Sequence, residues 1–100
     1  MIKFKQIRPE GGDCTASYDV ILDKDYTVLD FIFEIVRNRK DEWVSFHIQT
    51  GKNTLDGPEI EYRYGETLSG IPEKICFKKI KRVWSNGGWS TMDYFITLED

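Results

Sequence analysis

The stretch Asp25-Tyr26-Thr27-Val28-Leu29-Asp30-Phe31-Ile32 carries the start signals of the one helix that the sequence predicts. Thr27 is a suitable N-cap, because its hydroxyl can accept a hydrogen bond from a backbone N–H of the first turn. Tyr26 and Phe31 stand at the two positions of a hydrophobic staple. Apolar residues then recur over three turns, followed by basic residues at the end where the helix dipole favours cations. The pattern therefore predicts a helix over about 28–39.

On both sides of this helix, apolar and polar residues alternate as they do in half-buried β-strands. In chain order, the predicted strands span about 2–8, 18–22, 43–49, 59–64, 75–84 and 89–98. The first two strands flank the turn-forming run Pro9-Glu10-Gly11-Gly12-Asp13 and form a hairpin, and the last two form a second hairpin. The sequence thus predicts one α+β domain of residues 1–100, in which a single mixed or antiparallel sheet of five to six strands packs on the helix.

The predicted core consists of apolar residues at the inward positions of these elements. They are Ile2, Phe4, Val20, Leu22, Leu29, Ile32, Phe33, Val36, Val44, Phe46, Ile60, Phe77 and Ile96.

The order of two strands, a turn, a helix opening on Asp25–Ile32 and another strand resembles the start of the β-grasp, or ubiquitin-like, superfamily over about residues 1–64. The resemblance implies a mixed sheet that cradles one helix, and many members of that superfamily serve as interaction modules, although a fold does not fix a function. The sequence reads Leu98-Glu99-Asp100 where a conjugated modifier has a Gly-Gly tail, so we do not expect conjugation. It also lacks the cysteine cluster of β-grasp ferredoxins, so we expect no iron–sulfur centre.

Near the end of the chain, Trp84-Ser85-Asn86-Gly87-Gly88-Trp89 contains a strong hairpin signal. Asn86-Gly87 predicts a two-residue type I′ turn, whose two central positions need a positive φ. This turn would place Trp84 directly opposite Trp89, as in designed tryptophan-zipper peptides. Trp, Tyr and Arg are enriched in interface hot spots, which predicts a partner-binding face. Its predicted residues are Trp84, Trp89, Arg82, Lys78 and Trp43. Alternatively, the two indoles pair only with each other and hold the register.

A basic segment precedes that turn and contains Lys74, Lys78, Lys79, Lys81 and Arg82, with aromatic residues between the charges. A basic strand with aromatic rings is one way to bind single-stranded nucleic acid. An acidic protein partner would fit the same charges. A third interpretation is internal, with Glu59 and Glu61 of the preceding strand lying opposite the lysines as cross-strand ion pairs. The net charge of −3 favours the internal interpretation, so we do not expect nucleic acid binding.

The residue types that carry chemistry are sparse. His47 is the one histidine, and strand alternation places it on the face opposite Val44 and Phe46 as a solvated side chain. As a general base it would need an orienting carboxylate. Cys14 and Cys76 are far apart in sequence and are interpreted as free thiols. Their spacing from the histidine matches no zinc site. We expect no catalytic residue, metal or cofactor.

Composition and charge restrict the class of protein further. The chain has 100 residues, of which 40% are hydrophobic, 31% charged and 14% aromatic, as expected of a globular domain. It has no run of about eighteen apolar residues, so we expect no membrane span. Residues 1–5 lack the apolar segment of a signal peptide, and we therefore expect a cytoplasmic location.

Two hypotheses of function remain. The first is a non-enzymatic interaction module that binds a protein partner, or a second copy of itself, through an open sheet face. The second is a small enzyme or ligand-binding domain built around His47 and a nearby acid, which would need a pocket with convergent polar groups.

Overall fold

A computed structural model describes residues 2–8, 16–38, 43–49, 59–63, 71–87 and 91–99. Its elements in chain order are β1 (Lys3–Arg8), β2 (Ala16–Ile21), α1 (Val28–Asn38), β3 (Trp43–Gln49), β4 (Glu59–Arg63), α2 (Glu73–Cys76), β5 (Ile80–Gly87) and β6 (Thr91–Leu98). The strands form one sheet in the order β1-β2-β5-β6-β3-β4. Neighbouring strands are antiparallel except β6 and β3, which are parallel. The prediction of a small α+β fold with one mixed sheet is confirmed, and the resemblance to the β-grasp superfamily stays a prediction.

The start of α1 is built as its sequence signals predict. The backbone N–H of Asp30 donates to Thr27 Oγ1 at 3.2 Å, and that of Phe31 donates to the Thr27 carbonyl at 3.0 Å. The rings of Tyr26 and Phe31 meet edge to face, with their centroids 6.4 Å apart. The N-cap and the hydrophobic staple are therefore both confirmed.

The core contains aromatic rings of α1 and of the sheet that contact one another. The Phe31 ring meets Phe46 edge to face at 6.2 Å and Tyr94 at 5.7 Å, and these two rings stack on each other at 5.5 Å. Buried residues from both helices and from the sheet form one hydrophobic cluster. Its members are Ile2, Val20, Tyr26, Val28, Phe31, Ile32, Ile35, Val44, Phe46, Ile48, Ile60, Ile75, Ile80, Val83, Met92, Tyr94 and Ile96.

Seven residues of the predicted core are buried as expected. They are Ile2, Val20, Ile32, Val44, Phe46, Ile60 and Ile96. Three more, Leu22, Leu29 and Val36, are half-buried.

Burial was predicted wrongly for three phenylalanines: Phe4 is 42% exposed, Phe33 54% and Phe77 74%. Phe4 lies on the edge strand β1, where half of its surroundings are solvent. Phe33 lies one residue beyond the inward stripe of α1, which repeats at helical spacing from Val28 to Ile35. Phe77 follows α2 and is not part of a strand.

The predicted strand over 75–84 begins later than expected, at Ile80. Ile75 belongs instead to α2, where it is buried. The β5–β6 register shifts between Ile80 and Arg82, so Lys81 is an extra residue in the ladder. As a result Ile80 faces the core and not the opposite face, while Lys81 and Arg82 are both exposed.

Candidate functional site on the open face of the sheet

One residue from each strand lies in register across the whole sheet, on the face opposite the core. Successive Cα partners form this cross-sheet row, which in strand order is Lys5, Asp19, Trp84, Phe95, His47 and Glu59. Buried residues such as Val83, Tyr94 and Phe46 precede its three central members in the chain. Because side chains alternate along a strand, the row points away from the core.

Three rings at the centre of the row stack on one another. The Phe95 ring lies 5.1 Å from Trp84 at an interplanar angle of 16°, and 4.9 Å from His47 at 15°. The Arg82 guanidinium lies 6.0 Å from the Trp84 ring. Trp84 and His47 come from the strands on either side of β6, so Phe95 is held between them. The result is a continuous aromatic ladder across β5, β6 and β3, with all three side chains half-buried.

Charged side chains orient both ends of this ladder. Arg82 Nη2 lies 3.3 Å from Asp19 Oδ1. His47 Nε2 lies 3.1 Å from Asp93 Oδ1, while its Nδ1 is 4.0 Å from Glu59 Oε1. The Arg82–Asp19 pair is exposed, so it contributes little to stability, about 0–1 kcal/mol, whereas the His47–Asp93 pair is part-buried. Their effect is geometric, because they fix how the imidazole and the guanidinium sit beside the aromatic rings.

The row is flanked on one side by a second, polar row. In strand order, its members from β2 to β4 are Ser17, Asn86, Asp93, Ser45 and Glu61. The Ser17 hydroxyl donates to Asn86 Oδ1 at 2.7 Å. The apolar part of the open face is therefore a narrow band with a polar border, as in many interfaces.

Charge is unevenly distributed across this face. The edge strand β1 places Lys3, Lys5 and Arg8 opposite the outward residues of β2, whereas the other edge strand, β4, carries Glu59 and Glu61. At the cross-sheet row and the next row, the β1 edge is therefore basic and the β4 edge acidic, while Arg63 stands at the end of β4.

The predicted pairing of Trp84 with Trp89 is wrong. Trp84 lies opposite Phe95, and β5 continues through Asn86 and Gly87, which pair with Asp93 and Met92. The φ of Gly87 is not in the left-handed region that a type I′ turn needs, and the Met92 thioether fills the space that a Cβ at Gly87 would take. Gly87 thus allows the Met92 side chain of β6 to approach the backbone of β5 closely. Trp89 itself lies outside the described residues.

The other predicted partner-binding residues lie in different places. Arg82 borders the aromatic ladder, and Trp43, opposite Thr91 on β6, is 39% exposed towards the end of the open face. Lys78 lies away from the row, beside the start of α1, where its carbonyl accepts a hydrogen bond from Val28. Phe95, which completes the ladder, and Asp93, which pairs with His47, were not predicted as site residues, because no short-range spacing shows which strand lies beside β3.

The predicted neutralisation of the basic segment by Glu59 and Glu61 is wrong. Among the described strands, β4 pairs with β3 alone, and two strands separate it from β5. The carboxylate beside Arg82 is Asp19 of β2.

The two cysteines and the histidine were also candidates for chemistry in the sequence. Cys76 is a free thiol whose S–H donates to the Glu73 carbonyl, and Cys14 lies outside the described residues. The solvated His47 of the sequence-based interpretation is in fact half-buried between a ring and a carboxylate.

Among the described residues, no group of three or more His, Cys, Asp or Glu side chains is arranged to hold a metal ion. None of the described helices has the length and apolarity to cross a membrane. Neither protein-family models, nor curated proteins, nor solved structures include a match to this chain.

Proposed function

We propose that this chain is a small non-enzymatic interaction module that binds a protein partner through the open face of its sheet. The observation that carries the proposal is the aromatic ladder of Trp84, Phe95 and His47. Its rings are already stacked and oriented, so binding would immobilise few free rotamers. A central aromatic cluster with an arginine beside it and a polar border is the usual anatomy of a protein-binding hot spot.

The same geometry disfavours single-stranded nucleic acid on this face. Bases stack on free ring faces, but Trp84 and His47 lie against Phe95 from the two strands that flank it. Carboxylates of Asp19, Asp93 and Glu59 also surround the ladder, and these would repel a phosphate backbone.

One distance favours a second candidate, the enzyme or ligand-binding domain built around His47. Asp93 supplies the orienting carboxylate that a histidine base requires, at 3.1 Å. Against this candidate, the second ring nitrogen of His47 also faces a carboxylate, that of Glu59, and the pair lies on an open sheet face. A His47→Gln variant separates the two candidates, because it retains a hydrogen-bonding group for Asp93 and removes the base.

The test is to capture a partner from a native lysate with the tagged chain, identify it, purify it and measure its Kd by calorimetry. Trp84→Ala should weaken that complex by at least about thirtyfold, which corresponds to the hot-spot threshold of about 2 kcal/mol. Phe77→Ala is the matched control, since Phe77 is 74% exposed and lies outside the sheet. Equal Kd values for wild type, Trp84→Ala and Phe95→Ala, with all three folded, would contradict the proposal.

A further inference from the structure

Residues at equivalent distances from the two ends of the cross-sheet row are chemically complementary to each other. Lys5 and Glu59 are its outermost members, and they carry opposite charges. Asp19 and His47 come next, a carboxylate and an imidazole, and Trp84 and Phe95 form the centre. Each residue thus has a suitable contact at the equivalent position on the other half of the sheet.

A two-fold axis along the strands, between β5 and β6, would bring these halves together. It turns a second copy over and lays β4 of that copy on β1, β3 on β2, and β6 on β5. Lys5 then meets Glu59 of the second copy, and Trp84 meets its Phe95. We propose that the open face binds a second copy of this chain, face to face, in a two-fold symmetric dimer; this inference rests on the proposed interaction function and names the partner.

The polar row beside the aromatic ladder fits the same operation. Arg8, which pairs with Ser17, would lie opposite Glu61 of the second copy. Asn86 would lie opposite Asp93, so that an amide N–H could donate to a carboxylate. These contacts join residues outside the aromatic ladder, and the same two-fold axis brings them together.

The other simple face-to-face arrangement is unfavourable. An axis across the strands would lay β1 on β1 and β4 on β4, so that Lys5 would meet Lys5 and Glu59 would meet Glu59. Like charges placed directly opposite each other are destabilising. The charge pattern therefore selects the axis along the strands, inclined by about 15° to accommodate the roughly −30° angle at which twisted sheets pack.

The size of the face sets the expected affinity. Six strands about 4.8 Å apart and about 20 Å long present roughly 500 Å² per copy, so the pair would bury roughly 1,000 Å² in total. This area lies at the low end for specific complexes. We therefore expect a reversible dimer with a dissociation constant in the micromolar range.

The experiment is a charge exchange followed by sedimentation velocity over a range of concentrations. Lys5→Glu and Glu59→Lys should each weaken the dimer at least about tenfold, because the two-fold axis creates two like-charge contacts per dimer. The double variant Lys5→Glu/Glu59→Lys should restore the affinity to within about threefold of wild type. Within one copy these residues lie on opposite edges of the sheet, about 24 Å apart, so the rescue would have to act between copies.

Lys74→Glu is the matched control, since it makes the same charge change at an exposed position of α2 and should leave the dimer unchanged. A chain that is monomeric at every concentration, or a double variant that is not rescued, would overturn the inference. A monomer whose capture of a different protein still depends on Trp84 would remove the second copy as partner and leave the proposed interaction function standing.

Discussion

At the scale of single residues, two phenylalanines of α1 that are only two positions apart have opposite environments. Phe31 is fully buried against Phe46 and Tyr94, whereas Phe33 is 54% exposed. Sequence hydrophobicity treats them alike, and the predicted core included Phe33 but not Phe31. The two side chains leave the helix in different directions. Which of these directions is buried depends on where the sheet lies.

The two residues make a matched pair for measurement. Phe31→Ala should lower the free energy of unfolding by about 3–5 kcal/mol, because it leaves a cavity at the centre of the aromatic core. Phe33→Ala should lower it by less than about 1 kcal/mol, as is usual for an exposed position. Urea denaturation of both variants checks this expectation. Equal losses would mean that α1 presents a different face to the sheet.

The aromatic ladder shows a further limit of prediction from residues alone. Trp84 and Arg82 were both predicted on the partner-binding face, and strand alternation does place them together on one face. The sequence could not predict that Phe95 and His47 stack beside them, since the His47–Phe95 contact joins residues 48 positions apart and the Trp84–Phe95 contact depends on the hairpin register.

At the scale of elements, α1 is the part that local sequence specifies best. Its N-cap, its staple and its first residue are as predicted, because each depends on contacts within a few positions of the chain. Strand β3 is predicted equally well, since the expected range 43–49 is the observed range Trp43–Gln49. The β5–β6 hairpin is different, because a strong local turn signal at Asn86-Gly87 is overridden by pairing on both sides of β5.

The start of α1 also predicts how stability depends on pH. Tyr26 is buried, and its hydroxyl donates to Asp23 Oδ1 at 2.9 Å. Burial raises the pKa of Tyr26 above 10.0, with smaller contributions in the same direction from Glu34 and Asp30, and Arg37 opposes them. The folded protein therefore disfavours the phenolate. The corresponding stability is fully present below pH 10 and is lost as the pH rises through the higher folded-state pKa.

A comparison of wild type with Tyr26→Phe tests this dependence. The free energy of unfolding, measured between pH 8 and pH 11.5, should fall more steeply above pH 10 for wild type than for the variant, which has no hydroxyl to ionise. Parallel profiles for the two proteins would show that another group controls alkaline unfolding.

At the scale of the whole molecule, the class of fold was predictable but the order of the strands was not. Alternation and turn signals predicted one helix and five to six strands in one sheet. The structure has one sheet of six strands. The β5–β6 hairpin lies between β2 and β3, and β6 pairs with β3 in parallel. Local patterns do not encode these pairings, because the paired residues of β2 and β5, and of β3 and β6, lie far apart in the sequence.

Strand order also determines the character of the open face. Because β4 lies at the edge and not beside β5, its Glu59 and Glu61 lie beside β3 and not opposite the basic segment. Because β6 lies between β5 and β3, Trp84, Phe95 and His47 become neighbours. The candidate binding surface is therefore a property of the assembled sheet, because both ring-to-ring contacts of the ladder join different strands.

One register across the sheet builds the ladder of Trp84, Phe95 and His47, each ring from a different strand. Nuclear Overhauser effects between the side-chain protons of these three rings test it most directly, on the uniformly labelled chain in solution. We expect cross-peaks from the Trp84 indole to the Phe95 ring, and from the Phe95 ring to the His47 imidazole. Cross-peaks between Trp84 and Trp89, with none from Trp84 to Phe95, would contradict it and restore the tight turn at Asn86-Gly87.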